Sequence, residues 1–185
     1  NQGAALSNGE YLVFLNNDTY VTPGWLNGLY KHMINNPKIG LLGPVTNNTG
    51  NEARIEVNYA NLGPSDLNKD EVLNFSRSYT SKKKDQIIDI KMLALFCVII
   101  RKALFDQIGG LDERFGIGMF EDDDLAMKVR QMGLEIKCAE DVFVHHFMRA
   151  SFSKIPQKEY REIFSENKKK FEEKWKKTWV PHKGR

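Results

Sequence analysis

Apolar and polar positions alternate along this chain in blocks that switch between two periods. "GEYLVFLNNDTYV" runs an apolar strand into Asn16, Asn17 and Asp18. Thr22 and Pro23 then suit a helix start, and Trp25, Leu29, His32 and Met33 recur at helical spacing. "PKIGLLGPV" is a short buried strand bounded by Pro37 and Pro44, and "TNNTGNEARIEV" is a polar loop of the kind that builds sites at strand ends. From Pro64 to Asp85 the pattern predicts one irregular amphipathic helix, carrying Leu67, Val72, Leu73 and Phe75, then an exposed connection with no evident chemistry. "IIDIKMLALFCVIIR" is long enough for one long strand or two consecutive ones, and "KALFDQIGGLD" is a short helix stopped by Gly109 and Gly110. "EDDDLAMKVRQMG" is a helix with Leu125, Val129 and Met132 on one stripe, closed by Gly133. Two strands, "LEIKCA" and "DVFVHHF", follow, and a long charged helix begins near Pro156.

Strands and helices alternate without internal repeats, which predicts an α/β fold whose sheet is mostly parallel with a mixed end, flanked by helices. The 185 residues, 41% of them hydrophobic, suit one domain over residues 1–185 with a charged helical tail from about 156. "NQGAALSNGEY" reads as the end of a helix with Gly9 as its left-handed stop, so the fold is expected to be N-terminally truncated.

Composition narrows the function classes. No apolar run approaches the roughly 20 residues of a bilayer span, and no leader with a cleavage site opens the chain. Cys97 and Cys138 lie in strand-like apolar settings, which predicts buried free thiols and a reducing, cytoplasmic compartment. The net charge of +3 is modest, with Lys concentrated in "SKKKD" and in the tail. The tail is compatible with peripheral contact at the inner face of a membrane, but its interleaved Glu favours a solvated helix face. No basic and aromatic patch marks a nucleic-acid binder, and a homodimer covering an exposed sheet edge stays open.

Two polar clusters stand out. Asn16, Asn17 and Asp18 close a strand, where ligands gather in open α/β sheets; they suit a turn, and equally an oxygen site for a hard cation beside a diphosphate. The second cluster is Glu121 to Asp124. At about 100° per residue, Glu121 and Asp122 flank the buried stripe, Asp123 points to the far side and Asp124 lies between. Helix-dipole stabilisation, roughly 0.3 to 1 kcal/mol per acid, accounts for one or two of the four. The preceding "GIGMF" allows close approach of a ligand. His145 and His146 fall on opposite sheet faces, and a lone His is more often a satisfied core side chain than a ligand.

Taken in order, "GEYLVFLNNDTYVTPGWL", "GLLGPVTNNTGNEARI", "GGLDERFGIGMFEDDDLAMKVRQMG" and "AEDVFVHHFMRASF" resemble the family 2 glycosyltransferases of the GT-A fold, from Asn1 to about Phe152. The resemblance implies that "NND" stands for the DXD motif, with Asp18 the metal-binding acid, Asn16 in place of the first acid, and Asn16 to Asp18 contacting the donor. "EDDD" resembles the ED motif, with Asp122 the general base and Glu121 binding acceptor. His146, five residues before Ser151 in the "HFMRAS" pattern, matches a histidine that completes the metal shell in some members, with His145 in reserve.

Asn51 and Arg54, with Asn48 and Glu52, become candidate acceptor or donor contacts. The implied reaction is single-displacement, inverting transfer from a nucleotide sugar to a glycan, polysaccharide or other hydroxyl acceptor, assisted by Mn2+ or Mg2+. The carboxylate at the helix N-terminus is expected to stay ionised. Two other classes compete: a non-catalytic glycan- or nucleotide-binding module, and a metal-dependent phosphoesterase or nuclease, which would want further metal ligands. An EF-hand is excluded, because "LDERFGIGMFEDD" lacks the alternating ligands.

Overall fold

The computed structural model describes residues 1–60, 63–147 and 156–184. Its elements are α1 (Gln2–Leu6), β1 (Tyr11–Leu15), β2 (Thr19–Val21), α2 (Trp25–Asn35), β3 (Ile39–Val45), α3 (Lys69–Lys82), β4 (Ile87–Asp89), β5 (Cys97–Arg101), α4 (Lys102–Gln107), α5 (Glu121–Gln131), β6 (Glu135–His146) and α6 (Gln157–Trp175). A 3-10 turn, Glu113–Phe115, precedes α5.

One mixed sheet organises them, in the order β1-β5-β3-β6-β2, with β4 also on β6. Helices flank it as expected, but the balance of directions differs. Among the described strands only β3 and β6 pair in parallel; β5 lies antiparallel between β1 and β3, and β2 and β4 run antiparallel to β6. β1, β3 and β6 therefore point the same way, and β5 is inserted against them. Alternation of strands and helices along the chain reports connections, not the direction of a strand that enters from the far end of the sheet.

β3 is buried along its whole length. Leu41 and Val45 face one core with Ile100, Leu125, Val129 and Phe143, while Leu42 faces the other with Leu29, Met33, Ile99 and Val144. Covered on both faces, such a strand reads as a continuous apolar run.

The long apolar run forms two strands, β4 and β5, separated by residues 90–96. The last two expected strands are instead a single 12-residue strand, β6, whose pairing with β3 jumps from Pro44↔Ala139 to Val45↔Phe143. Glu140 to Val142 bulge out there. The bulge is pinned where His32 Nε2 lies 2.7 Å from Asp141 Oδ1 and the Asp85 amide donates to Asp141 Oδ2 at 2.9 Å.

Three boundaries also move. α1 ends at Ser7 in extended conformation rather than at a left-handed Gly9. α2 is capped by Gly24 at φ 83°, because the Thr22 hydroxyl donates instead to the Phe143 carbonyl at 2.7 Å, tying the helix entrance to β6. Met132 is 40% exposed, so the buried stripe of α5 is Leu125, Ala126 and Val129. Both cysteines are buried and neither is in a disulfide, as expected.

The charged tail helix departs furthest from its reading. Phe171 is buried with Phe115 and Phe120 in a third apolar cluster that Phe164, Trp175 and Trp179 join. α6 thereby docks against the start of the acidic helix.

Candidate active site

β1 delivers Asn16 to Asp18 to its carboxyl end. The Asn16 amide donates to the Phe96 carbonyl at 2.8 Å, and the Thr19 hydroxyl donates back to the Asn16 carbonyl at 2.8 Å, closing a tight turn. Asn16 and Asn17 are exposed and Asp18 is half-buried. The Phe147 amide donates to the Asp18 carbonyl at 2.9 Å, fastening this turn to the end of β6.

That fastening brings Asp18 to His146. His146 Nε2 lies 3.4 Å from Asp18 Oδ1. The ring is oriented from behind: Nδ1 donates to the Asn48 carbonyl at 3.0 Å, and Phe96 stacks on the imidazole at 4.8 Å and 15°. Asn47 clamps the His146 backbone from both sides, accepting from its amide at 2.8 Å and donating to its carbonyl at 3.2 Å.

With Nδ1 carrying the proton, Nε2 presents a lone pair toward a carboxylate oxygen. Two acceptors facing each other fit a shared cation, and a carbonyl on the far nitrogen is the usual support of a metal-binding imidazole. Among the described residues no group of three or more His, Cys, Asp or Glu is placed to hold a metal. Asp18 and His146 therefore stand as two facing acceptors at the end of β1, with no third such group beside them among the described residues. His145 points to the other face, with Nδ1 2.7 Å from the Tyr59 hydroxyl, and burial pushes it down to about 4. Ser151 lies outside the described residues.

The acidic run sits across a cleft of about 760 Å³ lined by Phe14, Leu15, Asn16, Leu95, Gly118 and Glu121, among others. Asn16 and Glu121, drawn from the two sequence clusters, thus share one cavity. Two consecutive non-glycine residues with positive φ, Met119 at 72° and Phe120 at 73°, aim the first turn of α5. Such strain persists only where surroundings enforce it. Here Asn167 of α6 enforces it, its side-chain amide donating to the carbonyls of Phe115, Gly118 and Met119 at 2.7, 2.9 and 3.2 Å.

The four carboxylates divide into two pairs. Asp124, expected between the buried stripe and the far side, is fully buried between Lys174 Nζ at 2.6 Å, Lys128 Nζ at 3.5 Å and the Trp175 indole, which donates at 2.8 Å. Asp123, expected on the far side, meets His182 Nε2 at 2.7 Å and the donating Trp179 indole at 3.2 Å. The segment after α6 crosses the face that the helical wheel leaves to solvent. Among the described residues no such cation reaches Glu121 or Asp122, and Glu121 Oε2 is buried there without a partner.

Electrostatics follow from this division. Burial, with Glu121 and Asp123 alongside, pushes Asp122 up to about 8, outweighing the Asp123 amide that donates to it at 2.9 Å. Burial, then Asp123, also raises Glu121. The helix terminus, expected to keep Asp122 ionised, loses to desolvation. A half-buried carboxylate poised near neutrality is suited to proton transfer.

The remaining candidates are less exposed to the cleft. Asn51 is buried, its side-chain amide donating to the Met92 carbonyl at 3.1 Å and its oxygen accepting from the Ala53 amide at 3.0 Å, so it shapes the loop rather than meeting solvent. Arg54 is exposed, its backbone bridging Thr46.

Lys174→Met leaves Asp124 with a single more distant cation, and breaking a buried pair in this way costs about 3 kcal/mol, a fall in Tm on the order of 10 °C. Thermal unfolding monitored by circular dichroism measures it, and an unchanged Tm would show that Lys128 and Trp175 suffice.

The Asp123 hydrogen bond and charge raise His182 above its ordinary 6.5. The contribution of this pair is therefore complete below the unfolded value and is lost as pH rises through the raised one. His182→Gln is expected to lower Tm at pH 6 and to converge with the wild type at high pH. A parallel offset at all pH values would deny the ion pair.

Comparison with known proteins bears on the family and the fold. The sequence model of glycosyl transferase family 2 matches residues 1–109. Among curated proteins, the chain is 28% identical over 153 residues to the O-antigen biosynthesis protein RfbC of Myxococcus xanthus, a match that covers 79% of this chain and 12% of that protein. The chain thus spans about an eighth of that relative's length. Among solved structures, GalNAc-T7, crystallised with UDP, GalNAc and Mn2+, superposes with a TM-score of 0.54 at 18% identity, over 78% of this chain and 29% of that one. At that identity the likeness is one of fold, the GT-A fold.

Proposed function

This chain belongs to glycosyl transferase family 2, and on that footing we propose that it moves a sugar from a nucleotide-sugar donor to a hydroxyl of a glycan or other acceptor, with inversion, by single displacement. The observation that carries the reading is the division of the acidic helix. The tail neutralises Asp123 and Asp124, while Glu121 and Asp122 form no ion pair among the described residues; Glu121 lines a cleft that also holds Asn16, and Asp122 follows it on the first turn of α5.

In this reading Asp122 takes the proton of the acceptor hydroxyl as its oxygen attacks the anomeric carbon. The partnerless Glu121 oxygen accepts from a neighbouring acceptor hydroxyl and orients the nucleophile. Asn16 and Asn17 offer side-chain amides to the donor. Asp18 and His146 are the pair that would hold Mn2+ or Mg2+, which when bound supplies Lewis-acid stabilisation of the departing diphosphate. The binding of UDP and Mn2+ by GalNAc-T7, a protein of the same fold, supports the choice of donor and cation.

The phosphoesterase reading is weaker, since the described residues offer only two ligands at the cation pair, and the binding-module reading gives the ionisable pair Glu121 and Asp122 no task. None of the described helices is long and apolar enough to cross a membrane. We set the reaction on the cytoplasmic side, in keeping with the buried thiols of Cys97 and Cys138.

Thermal unfolding with Mn2+ and a panel of UDP-, GDP- and dTDP-sugars tests the proposal. One nucleotide class is expected to raise Tm only when metal is present. Equal shifts with and without metal for every nucleotide would overturn the assignment of the cation pair, and no shift in the intact protein would overturn the donor reading.

A further inference from the structure

A second cleft, of about 600 Å³, opens between the loop at residues 56–59 and α3, away from the acidic helix. Its helical wall is one face of α3 at 71, 74, 75, 78, 79 and 82, the spacing of a single helical stripe. Along that face Phe75 and Tyr79 stack at 5.8 Å and 23°, and both are only half-buried. Tyr59 of the facing loop closes the floor, meeting Phe75 edge to face at 5.5 Å. Polar groups line the rim. Asn58 and Asn74 are exposed, and neither makes a side-chain hydrogen bond among the described residues. Glu71 stands beside them, held by the Asn68 amide at 3.0 Å.

Half-buried aromatic faces interleaved with free amides and a carboxylate are an unusual lining for a surface cleft. An aromatic ring packs against the C–H face of a pyranose, and amides and carboxylates meet the hydroxyls at the ring's rim in the several directions those groups point. A phosphate group would want more than the lone Lys82 that this cleft offers, and a lipid chain would want fewer polar groups. The floor is joined to the candidate active site. Tyr59 bonds His145, and the next residue on β6 is the His146 that faces Asp18.

We propose that the cleft between residues 56–59 and α3 is a saccharide subsite, which holds a neutral sugar of the acceptor glycan beyond the one that reacts. This deepens the transferase reading and rests on it for the word acceptor. Sugar binding itself does not.

The test is saturation-transfer NMR with cellobiose and maltose as probes, with UDP plus Mn2+ as a separate probe, on the wild type and on Asn58→Ala, Asn74→Ala and Tyr79→Leu. The two Asn sites are exposed and carry no described side-chain bond, so these variants keep the fold. Saturation of the disaccharide protons is expected in the wild type, with affinity weakened by about tenfold in each variant, the equivalent of one good hydrogen bond or ring contact. UDP binding is expected to be the same in all of them. Asp18→Ala is expected to do the reverse, losing metal-dependent UDP binding and keeping the disaccharide.

Disaccharide binding unaffected by all three cleft variants, no disaccharide binding in a protein that binds UDP, or UDP binding weakened in the cleft variants would each overturn the subsite. Disaccharide binding that depends on the cleft in a protein with no affinity for UDP would support the subsite while removing the transferase reading.

Discussion

Asp122→Asn is expected to lower kcat by about a thousandfold, with donor affinity unchanged, because positioned proton transfer contributes roughly 10² to 10⁴ in rate. The substitution keeps the shape and keeps an oxygen to accept from the Asp123 amide, so the turn that aims α5 survives. It removes only the capacity to accept a proton. A second signature follows from the same burial. Charge at this position is opposed by desolvation, Glu121 and Asp123, which raise its pKa from 3.8 to about 8.

Stability therefore falls as pH climbs through that range in the wild type, since the unfolded carboxylate ionises first. The Asn variant escapes this decline and is expected to melt higher at alkaline pH. Loss of turnover with a gain in Tm separates a catalytic carboxylate from a structural one, whose removal lowers both. The wild-type kcat/KM is expected to rise with pH toward a plateau above about 8, the deprotonated form being the active one. Transfer unchanged in Asp122→Asn would sink the assignment.

Asp18→Ala carries the other large effect. It removes one member of the proposed cation pair, leaving His146 Nε2 without its carboxylate. Donor affinity in Mn2+ is expected to fall on the order of 100-fold, and the metal-dependent rise in Tm to vanish. Titration calorimetry of UDP with and without Mn2+ measures the affinity, and thermal unfolding the rise. In the absence of metal the variant and the wild type are expected to bind UDP alike. An equal metal response in the two would place the cation elsewhere. Asn47→Ala acts one shell further out: it frees the His146 backbone that Asn47 clamps on both sides, and a smaller loss in the same direction is expected.

Both clusters of the candidate site were legible in the residues. A run of four carboxylates at a helix start exceeds what the helix dipole calls for, and Asn-Asn-Asp at the end of an apolar strand lies where an α/β sheet gathers ligands. The division of labour within the acidic run was not. A helical wheel knows only the helix's own core, so it set Asp123 toward solvent and Asp124 between, whereas α6 and the residues after it cover both.

The signal for that cover was present. Phe164, Asn167, Phe171 and Trp175 recur at helical spacing inside the Lys- and Glu-rich tail, where charge density masks them. Asn167 in particular, clamping three carbonyls, looks in sequence like one more polar residue.

The strand directions were also hidden, since nothing local to "CVIIR" tells whether it enters the sheet with or against its neighbours. The face of α3 was read as having no chemistry because Glu71, Asn74 and Phe75 gain meaning only when Tyr59 closes the opposite wall.

Release of nucleoside diphosphate from the nucleotide sugar chosen by the binding panel, in the presence of Mn2+ and a glycan acceptor, is the most direct test of Asp122 as the base of a glycosyl transfer. It compares the intact protein containing this chain with its Asp122→Asn variant. Acceptor-dependent release by the wild type is expected, with release about a thousandfold slower in the variant and donor binding equal in both. Equal release by the two proteins, or donor binding without any transfer by the wild type, would contradict that role.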